Sequence, residues 1–249
     1  MTTSGYSVFG LEPFPTIAPG DCLVDAITTT LAATDQHLQD NDVVVIASKV
    51  VSIAENRHVD LTTITPSQAA TALAEQTGKP APLVQVIINE SRAHFLATPR
   101  GPIIATHKLG YQLTSAGVDR DGTTGAWLLP ADPDASARSL RDQLRTATGA
   151  DIATVIADSD GRADRAGATV ISIGSAGIAP LRITTHTEPS GKVKIQDETF
   201  TDLAAAAAGI VLGQRGRGVP VAILRGLTYH RSDEGVASML HSRTTPVTG

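Results

Sequence analysis

The stretch Ala153-Thr-Val-Ile-Ala-Asp158-Ser159-Asp160-Gly161-Arg162-Ala-Asp164-Arg165-Ala-Gly167 decides both the fold class and the place to look for chemistry. Its opening run, 153–157, is apolar and β-branched, which predicts a buried strand. That strand leads straight into Asp158-Ser159-Asp160-Gly161, so carboxylates and a hydroxyl are expected at a strand's C-terminal edge. Hard oxygen ligands in such a place suit Mg²⁺ or Mn²⁺. Arg162 and Arg165 follow at once, and their fixed forks of donors suit phosphate or carboxylate. Both are candidate substrate-binding residues beside a candidate metal site. The bland alternative is an Asp-rich β-turn in which Asp158 and Asp160 bond the backbone and Gly161 takes a positive φ.

Working outward, β-branched runs at 42–47, 83–88, 102–106, 169–173, 192–195 and 219–224 predict further strands. Helical patterns cover 21–33, 65–76, 135–147 and 202–212. The two do not alternate regularly, so a doubly wound sheet is not expected. The expectation is a mixed α/β (α+β) fold of mixed sheets with packed helices. Thr65-Pro66-Ser67-Gln68 has capping-box spacing with proline at the first helical position, and Gly78 stops that helix. Asp134 reads as the N-cap of the third helix, where Ala137, Leu140, Leu144 and Ala147 share a face and Gly149 follows the end. No repeat or long linker is visible. One domain over residues 1–249 is expected, any subdomain boundary falling near 149, with a loose polar tail at 242–249.

Composition narrows the function. Aromatics are 3% of the chain and the formal net charge is -5, which argues against base stacking and phosphate-neutralising surfaces, hence against nucleic acid as a partner. Cys22 is the single cysteine, so no internal disulfide or thiolate zinc cluster can form. With no basic, apolar leader at the N-terminus and no span-length apolar run, a cytoplasmic protein without membrane association is expected. Phosphate-loop, dinucleotide, zinc-protease and nucleophile-elbow signatures are missing, and the seven histidines are scattered. A second carboxylate cluster stands at Ser115-Ala-Gly117-Val-Asp119-Arg120-Asp121-Gly122, which makes Asp119 a partner for Asp158. Asp132 and Asp134 are left out of the site, as a turn residue and a cap.

Taken in order, these segments resemble the coenzyme F-420-0:L-glutamate (γ-glutamyl) ligase family. The resemblance runs through Gly10-Leu11, Pro19-Gly20-Asp21, the run from Asp42 to Ser52 with its Ser48-Lys49, Ala116-Gly117-Val118-Asp119 and Leu128-Leu-Pro130. It continues through Asp158-Ser159-Asp160-Gly161-Arg162, Ile173-Gly174-Ser-Ala-Gly177 and Val219 to Gly226. It implies an intertwined homodimer that uses GTP and Mg²⁺ or Mn²⁺, with ATP as an alternative donor. A small-molecule carboxylate is phosphorylated, and the acyl phosphate is attacked by the amine of an amino acid such as glutamate. By the same resemblance Asp119 and Asp158 are catalytic metal ligands, joined by Ser159, where the family usually has Thr, and by Asp202. Gly10, Leu11, Ser48 and Lys49 would form the nucleotide site.

The departures from the family pattern are specific. Ile53 stands where a phosphate-facing lysine is usual, Gly122 where a polar nucleotide contact is usual, and Leu203 where the last helix usually carries a second carboxylate. Asp197 and Glu198 could substitute for the last of these only if their loop shifts. Three functions follow: an acid–amino-acid ligase, a catalytically silent member that binds a metabolite or a partner protein, and a metal-dependent phosphate hydrolase. Convergence of Asp119, Asp158 and Asp202 is the structural requirement of either enzyme.

Overall fold

The computed structural model describes residues 5–98, 100–214 and 218–241, so the tail at 242–249 lies outside the described residues. The chain begins with β1 (Ser7–Gly10), α1 (Leu23–Ala33) and β2 (Val43–Ala47), from which α2 (Ser48–Ala54) follows directly. An inserted stretch comes next: β3 (His58–Asp60), α3 (Gln68–Thr77), α4 (Ala81–Asn89), β4 (Ser91–Leu96), β5 (Ile103–His107), β6 (Gln112–Thr114), β7 (Asp119–Asp121) and β8 (Gly125–Trp127). The chain then returns through α5 (Pro133–Thr148), the paired strands β9 (Ala153–Gly161) and β10 (Ala168–Ala176), and a hairpin of β11 (Leu181–Thr187) and β12 (Val193–Thr199). It closes with α6 (Phe200–Leu212) and β13 (Val221–Arg225).

A five-stranded sheet of order β1-β13-β2-β9-β10 forms the scaffold. Its central pair, β2 and β9, is parallel and the other pairings are antiparallel. Both faces of the sheet are covered. Val44, Ile46 and Ile156 pack with Ile27 of α1 and Leu140 and Leu144 of α5. Val43, Val45 and Val155 pack with Ala204, Ala205 and Ala208 of α6 on the other side. This explains why 43–47 reads as an unbroken apolar run: a strand buried on both faces has no polar side to alternate with. The α+β architecture is as expected.

The inserted stretch carries two small sheets, β3-β8-β7 and β4-β5-β6, around a separate core that includes Val84 and Ile87 of α4, Ile103 and Ala126. Among the described residues no helix is long and apolar enough to cross a membrane.

Four local expectations are corrected. The run 83–88 lies in the helix α4, whose first turn carries Pro82 and whose Leu83, Val84, Val86 and Ile87 are all buried. A run apolar on nearly every side has no period by which to separate helix from strand. Helix α3 is capped by Ser67, whose Oγ accepts from the Ala70 N–H at 3.2 Å, so Pro66 precedes the cap. At α5 the cap is Asp132, which accepts from the Ala135 N–H at 2.9 Å. Asp134 is instead buried and accepts from the N–H groups of Ser175, Val236 and Ala237 at 2.9, 2.8 and 3.0 Å. Finally, Asp158 to Gly161 is not a turn. Strand β9 runs on through it, pairing Asp158 with Ile171 and Gly161 with Ala168, because β10 supplies ladder partners for the whole stretch.

Candidate active site

The β2–β9 register aligns Ala47 with Ala157. Ser48 and Asp158 are therefore neighbours one residue beyond the β2–β9 ladder, Ser48 opening α2 and Asp158 lying within β9. Here β2 turns directly into α2, and Ser48 Oγ donates to Asp158 Oδ1 at 2.7 Å. A cavity of about 950 Å³ opens over this point, with Ser48, Lys49, Asp158 and Ser159 on one wall.

Asp119 reaches the same cavity from the inserted stretch. Three successive residues, Ser115, Ala116 and Gly117, have φ of 54°, 53° and 67° and turn the chain sharply before β7. Left-handed backbone is costly for the first two, roughly 1–2 kcal/mol each. At Gly117 a side chain would also meet Leu129 at 2.6 Å. Asp119 Oδ2 then lies 3.9 Å from Lys49 Nζ.

Electrostatics mark the same point. Burial pushes the Asp158 carboxyl from 3.8 up to about 7; the Ser48 hydroxyl and the Ser159 N–H oppose this, while the Asp119 and Asp160 carboxylates add to it. Asp160 is also raised, chiefly by burial, with Arg162 opposing and Asp202 adding. Two carboxylates that face one cavity and repel each other are arranged to receive a cation. With the hydroxyls of Ser48 and Ser159 the donor set is all hard oxygen, and two carboxylates suit Mg²⁺ or Mn²⁺, which complete their shells with water and substrate phosphate. No group of three or more His, Cys, Asp or Glu side chains that could hold a metal occurs among the described residues, so the expected convergence of Asp202 with Asp119 and Asp158 is not found and two carboxylates alone face the cavity.

The remaining candidates lie away from the cavity wall. Asp202, in the first turn of α6, accepts from the N–H and Oγ of Ser172 on β10 at 2.9 and 2.7 Å, and fastens the helix to the sheet. Arg162 and Arg165 sit in the bend between β9 and β10, exposed, each near Asp164 at 3.6 and 3.5 Å. Gly10 packs against Val211 and Val219, and Leu11 is buried with its N–H on the Val221 carbonyl at 2.9 Å. Phe14 and Ile17, just downstream, do line the cavity. So does Ile53, whereas Gly122 lies in the turn after β7 at φ 54°. Glu198 pairs with Arg182 across the β11–β12 hairpin.

Sequence reading passed over two further lining residues, Lys79 and Gln214. Each had a signal. Lys79 is set between the helix-stopping Gly78 and Pro80, and Gln214 follows Gly213 just beyond α6.

Comparison with known proteins adds an independent finding. The family model F420-0:Gamma-glutamyl ligase matches residues 13–226. The coenzyme F420:L-glutamate ligase of Methanothermobacter thermautotrophicus is 34% identical over 254 residues, 98% of this chain and 98% of that protein. The protein of the same name from Methanosarcina acetivorans is 34% identical over 92% of this chain and 89% of its own length. That from Methanopyrus kandleri is 36% identical, covering 90% and 89%.

Proposed function

Since this chain belongs to the F420-0:Gamma-glutamyl ligase family and is an enzyme of that type, we propose that it forms the amide between L-glutamate and coenzyme F420-0, driven by GTP and a divalent metal. In the balanced reaction, a carboxylate oxygen of the acid attacks the terminal phosphorus of GTP and GDP leaves. The amine of glutamate then attacks the acyl carbon, loses a proton and expels inorganic phosphate. Phosphoryl transfer of this kind depends on positioning and charge neutralisation more than on proton transfer by side chains. Among the described residues the cavity wall carries no paired His or Cys, which is consistent with that chemistry.

The observation that carries the reading is the meeting of Asp119 and Asp158 with Ser48 and Lys49 on one cavity of about 950 Å³, large enough for more than one small substrate. Asp119, Asp158 and Ser159 would hold Mg²⁺ or Mn²⁺, with the Gln214 amide oxygen available on the same cavity. When bound, the ion supplies charge neutralisation and alignment for an in-line transfer. Ser48 fixes the orientation of Asp158 through its hydrogen bond, and Lys49 offers an ammonium to a phosphate near Asp119. Asp202 is assigned a supporting part, holding α6 against β10.

The proposal includes a homodimer. In the β11–β12 hairpin, Ile183, Val193 and Ile195 fall on one face by register and are 65%, 58% and 70% exposed. A second copy of the chain is the partner proposed for this apolar strip.

Calorimetric titration with GTP and then ATP, each with Mn²⁺ and with the metal chelated, tests the nucleotide and metal. A glutamate-dependent release of phosphate, matched by amide product, tests the reaction. No binding of either nucleotide would instead fit a silent member that binds a metabolite or a partner protein, the reading that Ile53 and Gly122 favour. Phosphate release that ignores glutamate would fit a hydrolase.

A further inference from the structure

Three cationic side chains line the cavity among the described residues: Lys49, Lys79 and Arg120. Two of them sit beside Asp119. Lys49 Nζ is 3.9 Å from its carboxylate, and Arg120 follows it on β7 and donates through Nε to the Gly122 carbonyl at 2.8 Å. Lys79 enters from elsewhere, at the middle of the three-residue link between α3 and α4.

That link is held at both ends. Gly78 is the C-cap of α3 at φ 69°, with its N–H on the Ala74 carbonyl at 2.8 Å, and Pro80 is the N-cap of α4 with its φ fixed by the ring. The helices on both sides are anchored in one apolar core through Ala70, Ala74, Leu83 and Val84. Lys79 is half-buried at the cavity wall, so its stem starts from a rigid position. On the α2 side of the cavity Ile53 presents hydrocarbon and no charge.

The substrates of the proposed reaction all carry anionic groups, and the two carboxylates with Lys49 account for one side of the cavity. We propose that Lys79 is a recognition point for a phosphate or carboxylate group of a substrate bound in this cavity, an inference that rests on the ligase reading above. A compact ammonium on a flexible stem is suited to a single rotating oxyanion. A charge-assisted hydrogen bond of this kind changes an affinity by about ten- to a hundredfold.

The test compares wild type, Lys79→Ala and Lys79→Arg with GTP, coenzyme F420-0 and L-glutamate in the presence of Mn²⁺, after thermal melting has shown equal stability. Lys79→Ala is expected to raise one KM by at least about tenfold while kcat changes by less than about threefold. Lys79→Arg is expected to recover most of the loss. A rise for GTP identifies a nucleotide phosphate, and a rise for either other substrate identifies its own anionic group. Three KM values within twofold of wild type would overturn the assignment while leaving the ligase reading intact. If wild type makes no amide, the ligase reading fails first. Calorimetric affinities of GTP and F420-0 for wild type and Lys79→Ala then decide the role of Lys79, equal values overturning it.

Discussion

Ser48 Oγ donates to Asp158 Oδ1 across 2.7 Å, joining the first residue of α2 to the strand that lies parallel to β2. The bond ties a carboxyl that burial has pushed up to about 7 to a hydroxyl that partly offsets that burial. Two consequences for pH follow. In the metal-free protein the native state holds a proton on Asp158 that the unfolded chain, near 3.8, has already lost. Native protein therefore binds more protons between these values, and the contribution of Asp158 to stability falls as pH rises from about 4 to about 7. Melting curves in chelator at pH 5 and pH 8 should show Asp158→Asn losing less stability than wild type over this interval. A parallel decline in both proteins would sink the assignment.

Metal and proton compete for the same oxygens, so Mn²⁺ affinity should climb with pH up to about 7 and then level. Asp158→Ala should lose metal-dependent turnover while keeping its fold, and unchanged turnover would remove the site. Ser48→Ala deletes the opposing hydrogen bond and should displace the Mn²⁺ affinity profile to higher pH, at a stability cost of about 1 kcal/mol.

The inserted stretch is held against β9 by another hydroxyl. Thr114 Oγ1 accepts from the Gly161 N–H at 2.9 Å and donates to the Gly161 carbonyl at 3.0 Å. A Cβ at position 161 would come within 2.3 Å of that same oxygen. Gly161→Ala should therefore displace Thr114 and forfeit both bonds, for a loss of about 2 kcal/mol. Because the two residues share one contact, Gly161→Ala combined with Thr114→Ala should cost less than the sum of the single changes. Additive losses in denaturant melts would show that the clash is relieved elsewhere.

How much of this was legible follows from the range of each interaction. The buried strands at 43–47 and 153–157 and the stop at Gly78 are local matters of period and backbone freedom, and the sequence reading found them. Asp132 and Asp134 flank Pro133, and either could cap α5 by local rules. Asp134 is claimed by Ser175 and Val236, 41 and 102 residues away, which no window can see. The arrival of Asp119 depends on left-handed backbone at Ser115 and Ala116, residue types that seldom signal it. Reading Asp158 to Gly161 as a turn was reasonable from composition, and only the length of β10 overrules it.

Ile53 supplies a gain-of-function test. It lines the cavity on α2, one turn after Lys49. If nucleotide phosphates lie along this wall, Ile53→Lys adds a charge-assisted contact and should tighten metal-dependent GTP binding by about tenfold or more. Calorimetry under identical salt is the measurement. No gain would mean that the phosphates lie against another wall, which would turn attention to Lys79.

The exposed face of the β11–β12 hairpin makes a prediction about assembly. Thr185 pairs with Ile195 and Thr187 with Val193, so the apolar residues alternate with Thr184, His186, Lys194 and Gln196, which fall on the other face. A separate two-stranded ribbon is marginal on its own in water, and covering its apolar face would stabilise it. If a second copy does so, light scattering should give twice the chain mass for wild type, and Ile195→Lys should shift it to the monomer. The charge would stand opposite Thr185 on a solvated ribbon and cost the isolated chain little, so melting of the variant should become independent of concentration rather than collapse. A dimer that survives Ile195→Lys would place the interface on another surface, where the exposed Ile210 of α6 is the next position to change.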